Sequence, residues 1–114
     1  MSRILTVQQR SHGASVVLTV DGEVDMASAP VLSSALEQAQ RDHPPLVVVD
    51  MSKVEFFGSA GMSVLIAASD AQPQALRVVP SYAVRRPIEV AALDQLLELF
   101  DTVEDALEGS PPIS

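Results

Sequence analysis

A single hydroxyl stands among residues with almost no side chain, in the run Gly58-Ser59-Ala60-Gly61. Two chemistries suit a serine there. It can cap the helix that Met62, Leu65 and Ile66 announce, accepting a hydrogen bond from a backbone N–H of the first turn. It can also accept a phosphate. Gly58, Ala60 and Gly61 leave room for another protein's active site to reach the hydroxyl. A phosphate there would meet free N–H groups and the positive end of the helix dipole, so the helix should stay folded. Ser63, one turn further on, is an alternative acceptor. A nucleophilic role does not fit. The G-x-S-x-G elbow is absent, because Gly58 immediately precedes Ser59. The only histidines, His12 and His43, fall in expected loops, and no base is placed beside the hydroxyl. There is no Walker loop, no dinucleotide glycine pattern and no His-rich metal spacing. Cysteine is absent, which excludes disulfides and thiolate metal sites. No cofactor is expected.

A second cluster, Gly22-Glu23-Val24-Asp25, has two readings as well. It is an acidic, solvated turn after a strand, or a negatively charged contact loop beside Ser59. Asp50 is expected to close a strand and to hydrogen-bond the following loop through Ser52 or Lys53, as Asp does in turns.

The elements that must position these groups follow from hydrophobic spacing. Residues 4–8 and 15–20 are rich in β-branched residues and flank a turn near His12-Gly13, which predicts an N-terminal hairpin. Asp21 to Asp25 should then leave the second strand. Pro30 suits a helix start, and Val31, Leu32, Ala35, Leu36 and Ala39 continue at helical spacing until His43-Pro44-Pro45. Leu46 to Val49 is a continuous apolar run, as in a strand covered on both faces. A helix over about 60–70, a turn at Gln72-Pro73-Gln74 and a strand at Leu76–Val79 come next. Ser81 should cap a third helix carrying Val84, Ile88, Ala91 and Ala92. Pro87 is expected to bend that helix or to delay its start to residues 85–87, since it lacks an N–H. Leu97, Leu99 and Phe100 predict a short strand, and Thr102-Val103-Glu104-Asp105 a last helix start.

The order β-β-α-β-α-β-α-β-α predicts an α/β fold. Its sheet is mixed and mostly parallel, with one antiparallel N-terminal strand and about four helices. Sites in such sheets favour the carboxyl ends of the strands, where the Asp25 and Ser59 loops could meet. A domain over residues 1–108 and a frayed tail over 109–114 are expected. Length and composition agree: 114 residues, 47% of them hydrophobic, can bury a core. The charge of −8, from 15 acidic and 7 basic residues, argues against nucleic-acid binding and permits a basic protein partner. No apolar run reaches the roughly 18–20 residues of a membrane span, so no membrane insertion is expected. No signal-peptide pattern is visible, and the expected location is cytoplasmic.

Three stretches together resemble the STAS-domain family, in particular the bacterial anti-sigma-factor antagonists. They are VDGEVDMASAPVL, VVVDMSKVEFFGSAGM and LRVVPSYAVRRPIEVAALDQLLELFDTVEDAL. The resemblance covers about residues 4–108. It implies a regulator without enzymatic activity. The unphosphorylated form would bind an anti-sigma factor, a serine kinase with an ATP pocket, and so free a sigma factor. The kinase would inactivate the antagonist by phosphorylating Ser59, and a serine phosphatase would restore it. Glu23, Asp25, Gly58, Ala60, Gly61 and Met62 would belong to the kinase-facing surface. Family members often carry Asp or Thr before the serine, where this chain has Gly58. The resemblance also admits a non-phosphorylated scaffold subunit of a stress-signalling or lipid-transport assembly.

Overall fold

The computed structural model describes residues 4–71 and 76–108. The expected turn at Gln72-Pro73-Gln74 and the tail from Gly109 lie outside the described residues. Strands β1 (Thr6–His12) and β2 (Ser15–Val24) form an antiparallel hairpin. Gly13 closes it at φ 61°, in the left-handed region that glycine enters freely. A βαβ series follows: α1 (Ala29–Gln40), β3 (Val47–Phe57), α2 (Ser59–Ala71), β4 (Leu76–Pro80) and α3 (Tyr82–Val90). A 3₁₀ turn at Leu93–Gln95, β5 (Glu98–Leu99) and α4 (Val103–Glu108) complete the described chain.

The five strands lie in the order β1-β2-β3-β4-β5, and every pair after the hairpin is parallel. This is the α/β architecture that the alternation of elements predicts. Consecutive crossovers of one hand keep their helices on one face of the sheet. Leu32 and Leu36 of α1, Leu65 of α2, and Val84 and Ile88 of α3 accordingly share one core with Leu18, Val20, Val47, Val49 and Val78. The other face carries Val17, Val48 and Val79, which α4 covers through Ala106.

Three expectations need correction. β2 continues through Asp21–Val24 rather than releasing the chain there. β3 runs on past Asp50 to Phe57. Its register with β2 slips twice, between the pairs Thr19–Asp50 and Asp21–Lys53 and between Gly22–Val54 and Glu23–Phe56. At each slip β3 holds one extra residue, a β-bulge. Asp50 therefore does not end the strand. Its Oδ1 accepts from the Ser52 N–H at 3.1 Å and the Ser52 hydroxyl at 2.7 Å, at the first bulge.

The third correction concerns the late start of α3, one of the two effects expected of Pro87. The proline does not delay α3, which begins at Tyr82 with Pro87 inside it. Ser81 fixes that start. Its Oγ accepts from Val84 N at 3.3 Å and donates to Val54 O at 2.7 Å, tying the helix to bulged β3. A capped first turn anchored to the sheet outweighs the one N–H that proline removes. The helix ends at Val90, and Ala92 turns left-handed at φ 59°.

Candidate functional site

β2 and β3 are parallel and finish side by side, with Val24 opposite Phe57. Their loops therefore leave the same end of the sheet. The Gly58 N–H donates to Val24 O at 3.0 Å and stitches the two loops together. The geometry thus brings Glu23 and Asp25 beside Gly58–Met62, from stretches more than thirty positions apart in the chain. Strand order never reverses in this sheet. It therefore lacks the switch-point crevice in which open α/β sheets hold small ligands. The end of the sheet around Ser59 is an open surface.

Ser59 is the first residue of α2, not the residue before it. Gly58 holds the capping position, because its carbonyl accepts from Gly61 N at 3.1 Å and Met62 N at 3.2 Å. The Ser59 side chain is exposed, and its hydroxyl has no hydrogen-bond partner among the described residues. The N–H groups of Ser59 and Ala60 are likewise unclaimed there, as expected in a first helical turn. Ser63 is also exposed, but its hydroxyl donates to Ser59 O at 3.2 Å.

Gly58 has an ordinary φ, so the backbone does not demand glycine at that place. A β-carbon would stand 3.3 Å from Phe56 Cε2, the far end of a half-exposed ring that can swing aside. Gly58→Asp should therefore stabilise the fold by roughly 0.5–1.5 kcal/mol. It adds a capping carboxylate at the helix N-terminus and restricts the unfolded chain. A thermal melt showing a loss instead would mean that the ring is held in place. Gly61 has the opposite character. It is buried, and a β-carbon there would lie 2.6 Å from Phe57 Cε1 and 2.7 Å from Val24 Cγ1. Its bareness lets α2 sit close on the sheet. Ala60 and Met62 are half-buried and pack against the main core.

Asp25 organises the neighbouring loop. Its Oδ1 accepts from the Ser28 N–H at 2.9 Å and the Ala27 N–H at 3.0 Å, and its carbonyl accepts from Ala29 N at 2.8 Å. Ser28 Oγ returns the contact, accepting from Asp25 N at 2.9 Å, and its one proton is shared between Glu23 O at 2.8 Å and Asp25 Oδ1 at 3.0 Å. These bonds make Asp25 the cap of the turn that leads into α1, whose own N-cap position is Ser28. The Ser28 N–H above all, then the Ser28 hydroxyl, holds the Asp25 carboxyl below the ordinary 3.8. A carboxyl depressed in the folded state stabilises above its unfolded pKa, and that share is lost as pH falls through the folded value. Asp25→Ala should therefore melt below wild type at neutral pH. The gap should close as pH drops below 3.8 toward the lower folded value. A gap independent of pH would show that the carboxylate charge plays no part.

The sequence reading did not single out Ser28, Met26 or Phe56. Ser28 stands three residues after Asp25, the spacing of a mutual loop-and-cap pair. Phe56 was hidden by the adjacent Phe57, which is buried while Phe56 is 50% exposed. Among the described residues, no group of three or more His, Cys, Asp or Glu could hold a metal ion.

A sheet with one antiparallel edge strand and three crossover helices on one face defines a class of small α/β domain. The chain belongs to the STAS-domain family: the family model described as "Mlab, STAS domain" matches residues 7–98. The anti-sigma-F factor antagonist RsfB of Mycobacterium tuberculosis is 37% identical over 108 residues, covering 92% of this chain and 88% of RsfB. The crystal structure of an anti-sigma factor antagonist from Mycobacterium paratuberculosis superposes with a TM-score of 0.87 at 37% identity, over 92% of each chain. The antagonist SpoIIAA in its unphosphorylated form shares the fold, with a TM-score of 0.72 at 18% identity over 96% of this chain and 99% of that one.

Proposed function

We propose that this protein is an anti-sigma-factor antagonist whose binding is switched by phosphorylation of Ser59. The observation that carries the reading is the exposed, unpartnered Ser59 hydroxyl at the first position of α2, beside the acidic loop of Glu23 and Asp25. The 37% identity to RsfB supports the regulatory class. In this reading the unphosphorylated surface binds an anti-sigma factor that is a serine kinase, and a sigma factor is released. The kinase then transfers the γ-phosphoryl group of ATP. The Ser59 Oγ–P bond forms, the bond from γ-phosphorus to the bridging oxygen breaks, ADP leaves, and the hydroxyl proton passes to a base of the kinase. A serine phosphatase reverses the modification by hydrolysis. The protein contributes an acceptor and no catalytic group of its own.

The switch is electrostatic. Phosphate adds roughly −1.5 to −2 charges at neutral pH, in a surface that already holds Glu23 and Asp25. The new charge finds the unclaimed N–H groups of Ser59 and Ala60 and the positive end of α2, so the fold tolerates it. Desolvation and repulsion at the partner surface then oppose docking. The protein works where sigma factors do, in the cytoplasm. Among the described residues no helix is long and apolar enough to cross a membrane.

The test is intact-mass measurement after incubation with purified anti-sigma kinases and ATP, followed by site mapping. One phosphate on Ser59 is the expected result. Phosphate on Ser63 would keep the regulatory role and overturn the residue assignment. An unmodified protein recovered in a large assembly would favour the scaffold reading.

A further inference from the structure

We propose that Phe56 and Met26 are the apolar anchors by which the phosphorylating kinase grips the Ser59 surface. This rests on the reading of Ser59 as phosphoacceptor. The chain has three Phe, one Tyr and no Trp, so a Phe in water is a large share of its aromatic surface. Phe57 is buried in the core and Arg77 stands over the Phe100 ring, 5.2 Å from its centroid. Phe56 alone of the three is half in solvent, and Met26 is 84% exposed. Each lies two residues from the hydrogen bond that joins the two loops, Gly58 N–H to Val24 O.

The exposure of Phe56 has a definite origin. The second bulge in β3 leaves Glu55 and Phe56 both turned outward between buried Val54 and Phe57. Gly58 then leaves the space in which the ring lies, since a β-carbon there would come within 3.3 Å of it. The ring thus rests against the main chain one residue before Ser59.

A kinase that delivers a phosphoryl group to Ser59 must cover this region. A standard interface takes about 800 Å² from each partner, a patch roughly 30 Å across. Phe56, three residues before the acceptor, and Met26, two residues past the Val24 carbonyl that Gly58 bonds, fall inside it. Aromatic residues and Met are enriched in interface centres, and a few such anchors carry most of the binding energy. Here they stand in an acidic setting: Glu23 is opposite Phe56 in the β2–β3 register, and Asp25 precedes Met26. The complementary kinase surface is an apolar recess rimmed by Lys or Arg.

The test uses the full chain and each purified ATP-binding anti-sigma kinase of the source genome. Phe56→Ala and Met26→Ala are titrated by calorimetry, and phosphorylation is followed with the protein as substrate. Each change should weaken binding about tenfold or more, the effect of an anchor residue. It should raise KM for phosphorylation while leaving kcat unchanged, since the anchors bind before and during transfer alike. Phe56→Tyr, which keeps the ring, should stay within about twofold of wild type. Met26 is nearly fully exposed, so its variant cannot fail for loss of fold. If wild type is phosphorylated on Ser59 and both alanine variants bind equally well, the anchors are refuted and the switch stands. If wild type binds no such kinase, both are overturned.

Discussion

Ser59→Ala is expected to melt within about 0.5 kcal/mol of wild type and to stay bound to its anti-sigma kinase when ATP is present. The first part follows from geometry. Ser59 is the first residue of α2 and Gly58 is its cap, so no capping bond is lost. A partnerless surface hydroxyl carries little stability. The second part follows from the proposed switch, in which the complex is discharged through the Ser59 oxygen. Ser59→Asp should also fold, and should gain about 0.3–1 kcal/mol from a carboxylate at the positive end of the helix. It should bind more weakly than Ser59→Ala. The weakening should fall short of that by phosphate, which brings more charge and more acceptor oxygens. Ser63→Ala removes only a bond back to Ser59 O and should be phosphorylated like wild type. Calorimetry against the kinase, with and without ATP, reads all three. Release of Ser59→Ala by ATP would place the switch elsewhere.

Gly22→Ala should be the most damaging small substitution near the site. Gly22 has φ 118°, a conformation that L residues rarely adopt. A β-carbon there would stand 2.5 Å from Ile4 O and 3.0 Å from Leu5 Cα. Both obstacles are backbone, so no rotamer change relieves them. Strain and overpacking together should cost about 2–5 kcal/mol, a large part of the 5–15 kcal/mol typical of a domain. The melting temperature should fall by on the order of 10 °C or more. Gly13→Ala is the control. Its φ is also positive, at 61°, yet nothing lies within 4 Å of the added carbon, so only the smaller left-handed penalty of about 1–2 kcal/mol applies. Equal losses in the two variants would show that the contact with Ile4 is not the cause.

The legible parts of this fold are those in which one hydrophobic period holds. Val47-Val48-Val49 reads as a strand covered on both faces because α4 covers Val48 and the crossover helices cover Val47 and Val49. Ser81 reads as a cap because Ser before an apolar helical face has few other uses. β3 beyond Asp50 escaped notice because its buried residues fall at Met51, Val54 and Phe57. That spacing of three breaks the alternation of a regular strand and fits one face of a helical turn better, and bulges leave no other mark in the chain. Ser59 and Asp25 were visible as chemistry but not as geometry. Which residue is cap and which is first in the helix depends on where the Gly58 carbonyl points, and no residue type announces that. Gly61 stands as a packing residue for the same reason, since only the assembled fold shows Phe57 and Val24 pressing on it.

The surplus in β3 has a consequence for how such a protein can vary. From Thr19 to Val24 the second strand uses six residues, and from Asp50 to Phe57 its partner uses eight. A plain slip of one residue would exchange core for solvent along the whole strand. Here each extra residue sits outside, in the pairs Ser52-Lys53 and Glu55-Phe56, all four exposed. Removing one from each pair would leave Met51, Val54 and Phe57 facing inward in plain alternation. The reach and aim of the serine-bearing loop can thus be changed in whole-residue steps while the composition of the interior stays constant. Insertion and deletion, more than substitution, would be the means of retuning this surface to a different partner.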